Sequence, residues 1–210
     1  YNTNLSVISN QKTKTRLDLF DYLVKFKDWE VCASIDGTGI IGEYIRTGLD
    51  YNQFIANFER GLEQRQHSRN LRLDFTLTTP GLFEIENMFN LSKKYNVPLL
   101  SKVCFEFTND VAMCPLFLPK HVLHPILNEL IQKLEPKADQ NQQSIIDVMK
   151  NLLTRETMEE KYSDYEQGRR KGKKRIQELE AIRLGPTSFE EILAQNSQSA
   201  WVFWNSIEQE

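Results

Sequence analysis

The chain has 210 residues, 40% of them hydrophobic and 26% charged, and a formal charge of −3. That length suffices for a sizeable core, and the composition is that of an ordinary globular protein. The slightly acidic balance gives no global reason to expect nucleic acid or a membrane surface as partner, and no apolar run of roughly eighteen residues is present to span a bilayer.

The opening, YNTNLSVISN, has neither the basic flank nor the apolar stretch of a signal peptide and starts almost inside a strand-like segment, so a piece of a longer protein is expected. KTRLDLFDYLVKF then places Phe20, Leu23 and Val24 at helical spacing, and WEVCASI reads as a strand. In DYNQFIANFERGL, Phe54, Phe58 and Leu62 fall one above another, with Asp50 and Gln53 as a capping box. LRLDFTLT is a second strand. TTPGLFEIENMFNLSKKYN enters a helix at Thr-Pro and carries Ile85, Met88 and Phe89 on one stripe. PLLSKVCFEF is a third strand and HPILNELIQKL a further helix. Strands separated by helices in units of about 30 residues predict βαβ crossovers and a parallel sheet.

Beyond residue 135 the character changes. QQSIIDVMKNLL is an amphipathic helix, and a highly charged stretch follows, with RRKGKKR at 169–175 flanked by acidic residues and read as a solvated helix face. The end, SAWVFWNSIEQE, holds two tryptophans and a phenylalanine in four residues and suits docking on the domain or on a partner. The organisation is therefore an α/β unit over 1–135, a charged helical extension over 136–183 and a tail over 184–210.

The strand faces are uneven. Val31, Ala33 and Ile35 oppose Cys32, Ser34 and Asp36; Leu71, Leu73, Phe75 and Leu77 oppose Arg72, Asp74, Thr76 and Thr78; Ser101, Val103, Phe105 and Phe107 oppose Leu100, Lys102, Cys104 and Glu106. Parallel strands are normally covered on both faces and nearly continuously apolar. Here one face is greasy and the other small or polar. That pattern fits a sheet wetted on one side, or a curved sheet whose concave side lines a lumen with chemistry at the carboxyl ends of the strands.

At one such end stands VCASIDGTGIIGEYIRTG, residues 31–48. Ser34 and Asp36 offer a hydroxyl and a carboxylate to a polar ligand, Gly37 and Gly39 allow close backbone approach, and Arg46 suits bidentate pairing with a carboxylate. Asp-Gly is also a plain turn signal, and DGTG is shared with the phosphate loops of sugar kinases and actin-like ATPases, where the loop joins two hairpin strands rather than leading to a helix. His67, His121 and His124 form no H-E-x-x-H, and there is no nucleophile elbow, P-loop or G-x-G-x-x-G. Cys32, Cys104 and Cys114 are too few for a disulfide scaffold and have neither zinc-like nor cluster-like spacing. They fit a reducing, cytoplasmic compartment, with Cys32 as a small structural hydrophobe.

Ser34-Ile-Asp36-Gly37, Arg46 twelve residues after Ser34, a helix, and then LDFTLTTPGLFEIENMFNLSKKYNVPLL together resemble the second half of the radical S-adenosylmethionine enzymes, closest to members with a twitch-type auxiliary-cluster module. Thr3-Asn4 is similar to the Thr-Asn that ends their third strand. The likeness covers residues 1–135 or so. It implies strands three to six of a (β/α)6 partial TIM-type barrel, followed by a helical tail. It also implies that the whole protein cleaves S-adenosylmethionine at a [4Fe-4S] cluster to a 5′-deoxyadenosyl radical that abstracts hydrogen from a peptide or small-molecule substrate. Ser34, Asp36 and Arg46 would hold the cosubstrate with Thr3 and Asn4 at its border. Arg72, Asp74, Thr76, Thr78, Lys102 and Glu106 would face the lumen. The family's C-x-x-x-C-x-x-C and the glycine-rich segment for the methionine amino group are absent from these 210 residues, so no cluster ligand is assigned here and the chain by itself is expected to be inactive. Cys104 and Cys114 as auxiliary ligands would fall short of the four thiolates a cluster takes. Half a barrel also leaves strand edges open, which predicts self-association. The alternative from another class is a non-catalytic α/β binding module.

Overall fold

Four strands pair in the order in which they occur: β1 (Asn2–Thr3), β2 (Val31–Ser34), β3 (Leu71–Leu77) and β4 (Leu99–Val103), each parallel to the next. The computed structural model describes residues 1–9, 17–105, 111–183, 185 and 187–208. Helices α1 (Leu19–Leu23), α2 (Gly39–Ile45), α3 (Tyr51–Gln64) and α4 (Ile85–Tyr95) form the crossovers, and α5 (Lys120–Leu134) follows β4.

The predicted alternation sets the layers. Leu71, Leu73, Phe75 and Leu77 are fully buried, as are Val31, Ala33 and Ile35, while the intervening Cys32, Ser34, Arg72, Asp74 and Thr76 stay half exposed. Helix α3 lies over the apolar side, where Gly61 approaches so closely that a Cβ there would meet the Phe20 ring at 2.5 Å and the Leu71 side chain at 2.9 Å. Buried Phe54 and Phe58 stack on this face with ring centroids 6.0 Å apart.

Local signals account for the helix starts. Asp18 accepts the Phe20 and Asp21 N–H groups while Asp21 accepts the Asp18 N–H, and Arg60 of α3 pairs with both carboxylates. Asp50 caps α3 through the Gln53 N–H, but the reciprocal half of the predicted box does not form, because the Gln53 amide donates to Asn57 instead. Helix α5 begins at Lys120, four residues before the expected start at His124, so that Pro125 sits inside it.

The remaining helices are α6 (Gln143–Thr154), α7 (Met158–Lys161), α8 (Tyr165–Arg183), α9 (Phe189–Asn196) and α10 (Gln198–Asn205). Two findings sharpen the expectations. First, the outer edge of β4 is not open: the Leu99 N–H donates to the Asn141 carbonyl (2.8 Å) and the Ser101 N–H to Ser144 Oγ (2.9 Å), so the start of α6 occupies the bonds a further strand would take. The edge expected to promote self-association is covered there. Second, the aromatic tail docks on the domain itself. Phe117 meets the rings of Tyr165, Phe203 and Trp204, Trp204 lies 4.5 Å from Phe189, and a single apolar cluster runs through residues of all three sequence segments. The basic run at 169–175 is not wholly solvated either. Gly172 packs against Val111 and Ala112, and buried Lys173 donates to the Trp204 and Ile207 carbonyls, both at 3.0 Å, capping the end of α10. No helix among the described residues is long and apolar enough to cross a membrane.

Candidate functional site

The polar side of the sheet is built by register. Cys32 sits beside Arg72, Ser34 beside Asp74 beside Leu100, and Thr76 beside Lys102. Its charges pair across strands. Lys102 Nζ lies 2.8 Å from Asp74 Oδ2, and the Ser34 hydroxyl makes a longer bond (3.4 Å) to the same oxygen. Arg72 binds Glu30 and, through Nε, the Cys32 sulfur at 3.0 Å. The pairing with Cys32 and Glu30 puts Arg72 toward the amino ends of the strands, away from the loop at Asp36.

That loop is held at three points. Past the last ladder bond, from the Ile35 N–H to the Asp74 carbonyl (3.0 Å), the Asp36 carboxylate accepts the Thr76 N–H at 3.2 Å. Its other oxygen accepts Arg46 Nε (2.9 Å) and Nη2 (2.8 Å). Buried Glu84, from the turn Pro80–Glu84 after β3, accepts both the N–H and the hydroxyl of Thr38, at 2.6 and 2.5 Å. The loops after β2 and β3 are thereby bolted together. Asp36 spends both oxygens on protein donors, so it aims Arg46 instead of meeting a ligand. Arg46 keeps 30% of its side-chain surface and its Nη1 without a partner among the described residues.

Ser34, Asp36, Arg46, Asp74, Thr76 and Lys102 thus lie along one face and one end of the sheet. Other expected residues do not join them. Thr3 pairs with Ala33, on the side of the apolar side chains, and its hydroxyl accepts the Leu5 N–H; the Asn4 side chain closes on Ser6. Thr78 is buried because β3 ends at Leu77 and the chain turns, its hydroxyl accepting the Gly81 N–H. Glu106 lies outside the described residues. Sequence reasoning missed Glu84, whose only signal is a carboxylate beside the apolar stripe of Leu82, Ile85 and Met88.

An iron–sulfur cluster does not fit what is here. Cys32 touches Arg72 and Glu30, burial raises its thiol above the ordinary value, Cys114 is buried in the core, and no group of three or more His, Cys, Asp or Glu side chains suited to a metal occurs among the described residues. Compared with family models, curated proteins and solved structures, the chain matches none.

A cleft of ≈ 510 Å³ opens behind this end of the sheet, between α2 and the α8–α9 junction, and its wall contains Tyr44 hydrogen-bonded to Glu180 (2.8 Å). Burial, and then the Glu180 carboxylate, drive the Tyr44 hydroxyl far above the ordinary tyrosine range; burial does the same to Tyr165. Because both folded-state values are raised, their contribution is fully present below the unfolded value of about 10 and is lost as pH climbs past it, by roughly 1.4 kcal/mol per pH unit for each tyrosine. Lys173 acts oppositely: burial lowers its value, so its charged form costs stability that is recovered as pH rises toward about 10.4. The urea midpoint is therefore expected to rise slightly in mild alkali and to fall steeply above pH 10. In a Tyr44→Phe/Tyr165→Phe variant the fall should flatten; an equally steep fall there would assign it to other groups.

Proposed function

We propose that this chain supplies one wall of an S-adenosylmethionine pocket in a radical S-adenosylmethionine enzyme, the cluster ligands coming from outside these 210 residues. The observation that carries the reading is the sheet: parallel strands in sequential order, one side under helices and the other polar, with Asp36 and Arg46 at its carboxyl edge. A doubly wound sheet reverses its strand order and is covered on both faces; a sequential order with an uncovered polar side suits a section of a (β/α)6 partial barrel. In this reading Arg46, oriented by Asp36, receives the methionyl carboxylate, Ser34 reaches a polar group of the ribose, and Asp74, Thr76 and Lys102 face the substrate.

The test is equilibrium dialysis of radiolabelled S-adenosylmethionine against the chain and its Arg46→Gln variant. Loss of a charge-assisted pair worth about 1.5–3 kcal/mol predicts roughly 10- to 150-fold weaker binding. After iron–sulfur reconstitution the chain alone should form no 5′-deoxyadenosine. A second reading, the non-catalytic α/β module, is favoured by the pairing of Lys102 with Asp74, Arg72 with Glu30 and Arg46 with Asp36, which leaves the polar side self-satisfied. It prevails if the chain ignores S-adenosylmethionine at millimolar concentration or if R46Q binds it undiminished.

A further inference from the structure

Beyond the carboxyl end of β4, and on different elements from the loop at Asp36, lies a second cleft of ≈ 300 Å³. Its apolar lining includes Leu116 and Met158, and the rings of Phe105 and Tyr162 stand at its wall. Each ring carries a cation. The Arg155 guanidinium lies 4.7 Å from the Phe105 ring centre, and the Lys161 ammonium 5.2 Å from that of Tyr162. Neither cation has a carboxylate partner within ion-pair distance among the described residues, although Glu156 also lines the cleft. Arg155 is fixed as well as unpaired. Its Nε donates to Asn151 Oδ1 at 2.8 Å, one turn back on α6, while its Cζ lies over the Phe105 ring, so the guanidinium is held at two points with its terminal nitrogens left for a ligand.

We propose that this cleft binds a small organic anion, an apolar or aromatic body bearing one carboxylate or phosphate. The lining holds two cations against one carboxylate, so its balance is positive and favours one anionic group on the ligand. The volume is at the lower end of the range for small-molecule sites, and a planar guanidinium held by a side chain and a ring is the donor arrangement that suits a carboxylate or phosphate fork. The apolar floor gives the body of such a ligand a surface that inorganic phosphate would not use. The proposal does not depend on S-adenosylmethionine binding at the other site.

Ligand-observed saturation-transfer NMR tests it, with benzoate, phenyl phosphate and the neutral isostere benzamide as probes. Binding of benzoate or phenyl phosphate at millimolar or lower concentration is expected, and which of the two binds tells carboxylate from phosphate. Benzamide should bind at least tenfold more weakly, Arg155→Gln should weaken the anion tenfold or more, and Asn151→Ala severalfold by freeing the guanidinium. Lys150→Gln, which removes an exposed cation of the same helix that pairs with Glu135, should change nothing. All three variants are at exposed positions, so their folds should be retained, as circular dichroism would register. Failure of both anions to bind at 10 mM (roughly the weakest affinity of interest), benzamide binding as tightly as benzoate, or an undiminished R155Q would overturn the site.

Discussion

Phe117→Ala is expected to lower the unfolding free energy by about 3–5 kcal/mol, the usual cost of emptying a large buried aromatic site. Phe117 is 1% exposed and sits where three segments meet: the turn after β4, the start of α8 and the end of α10. Its ring makes edge contacts with Phe203 and Trp204, at 5.5 and 6.3 Å, and its carbonyl accepts the Tyr165 hydroxyl at 2.8 Å. Truncation leaves a cavity that the surrounding rings cannot collapse into, because Trp204 is already held by Phe189 and by the Lys173 cap. Urea unfolding followed by tryptophan fluorescence reads the loss, and limited proteolysis should cut first between α8 and α9. Phe117→Leu, which keeps most of the volume, should recover more than half of the stability. A loss below about 1.5 kcal/mol for the alanine variant would mean that the tail is held elsewhere.

That junction was only half visible in the sequence. Two tryptophans and a phenylalanine in four residues announce something to bury, but not against what, since the partner ring at Phe117 is more than eighty residues away. Strand faces were legible because strict alternation is a local property: Leu71 through Leu77 behave as their spacing demands. The same rule misplaced Thr78, because alternation gives no signal of where a strand stops, and the turn beginning at Pro80 buries that hydroxyl. Lys173 was read with its charged neighbours as solvated. Its ammonium instead lies 5.5 Å from the centre of the Trp204 ring and reaches two carbonyls, an outcome set by tertiary packing alone. At the candidate site, Ser34, Asp36 and Arg46 were singled out by their spacing at a strand end. Glu84, which locks their loop, was not, because a hydrogen bond between residues 46 apart leaves no trace in either segment. Likewise, the cover on the β4 edge uses a backbone carbonyl and a serine, groups too common to stand out.

The second large effect is expected from one methyl group. Gly42→Ala places a Cβ 2.3 Å from the Gly37 carbonyl oxygen and 2.7 Å from its carbon, backbone atoms that cannot swing aside as a side-chain end would. The helix gains about 1 kcal/mol of intrinsic propensity from the change, yet overpacking of a tight contact costs about 1–3 kcal/mol and sometimes more. The net sign is therefore destabilising. Under the proposed function the loss of binding should exceed the stability loss, because the displaced parts are those that aim Arg46. The Arg46 N–H bonds to the Gly42 carbonyl (3.0 Å), so a shift of the first turn of α2 carries the guanidinium off Asp36, whose carboxylate is fixed to Thr76 of the neighbouring strand. Gly37 offers no relief, since a Cβ there would already meet Glu84 at 3.0 Å. Gly168→Ala supplies the opposite sign from the same chemistry: it lies within α8 with nothing inside 4 Å of the added methyl, so up to about 1 kcal/mol of stabilisation is expected. Urea midpoints of the two variants should thus fall on either side of the parent, and under the proposed function only G42A should lose S-adenosylmethionine binding in the dialysis assay. If G42A kept both its midpoint and its affinity, the close packing of Gly42 on Gly37 would not be what holds Arg46 in place, and the proposed pocket would lose its organising contact.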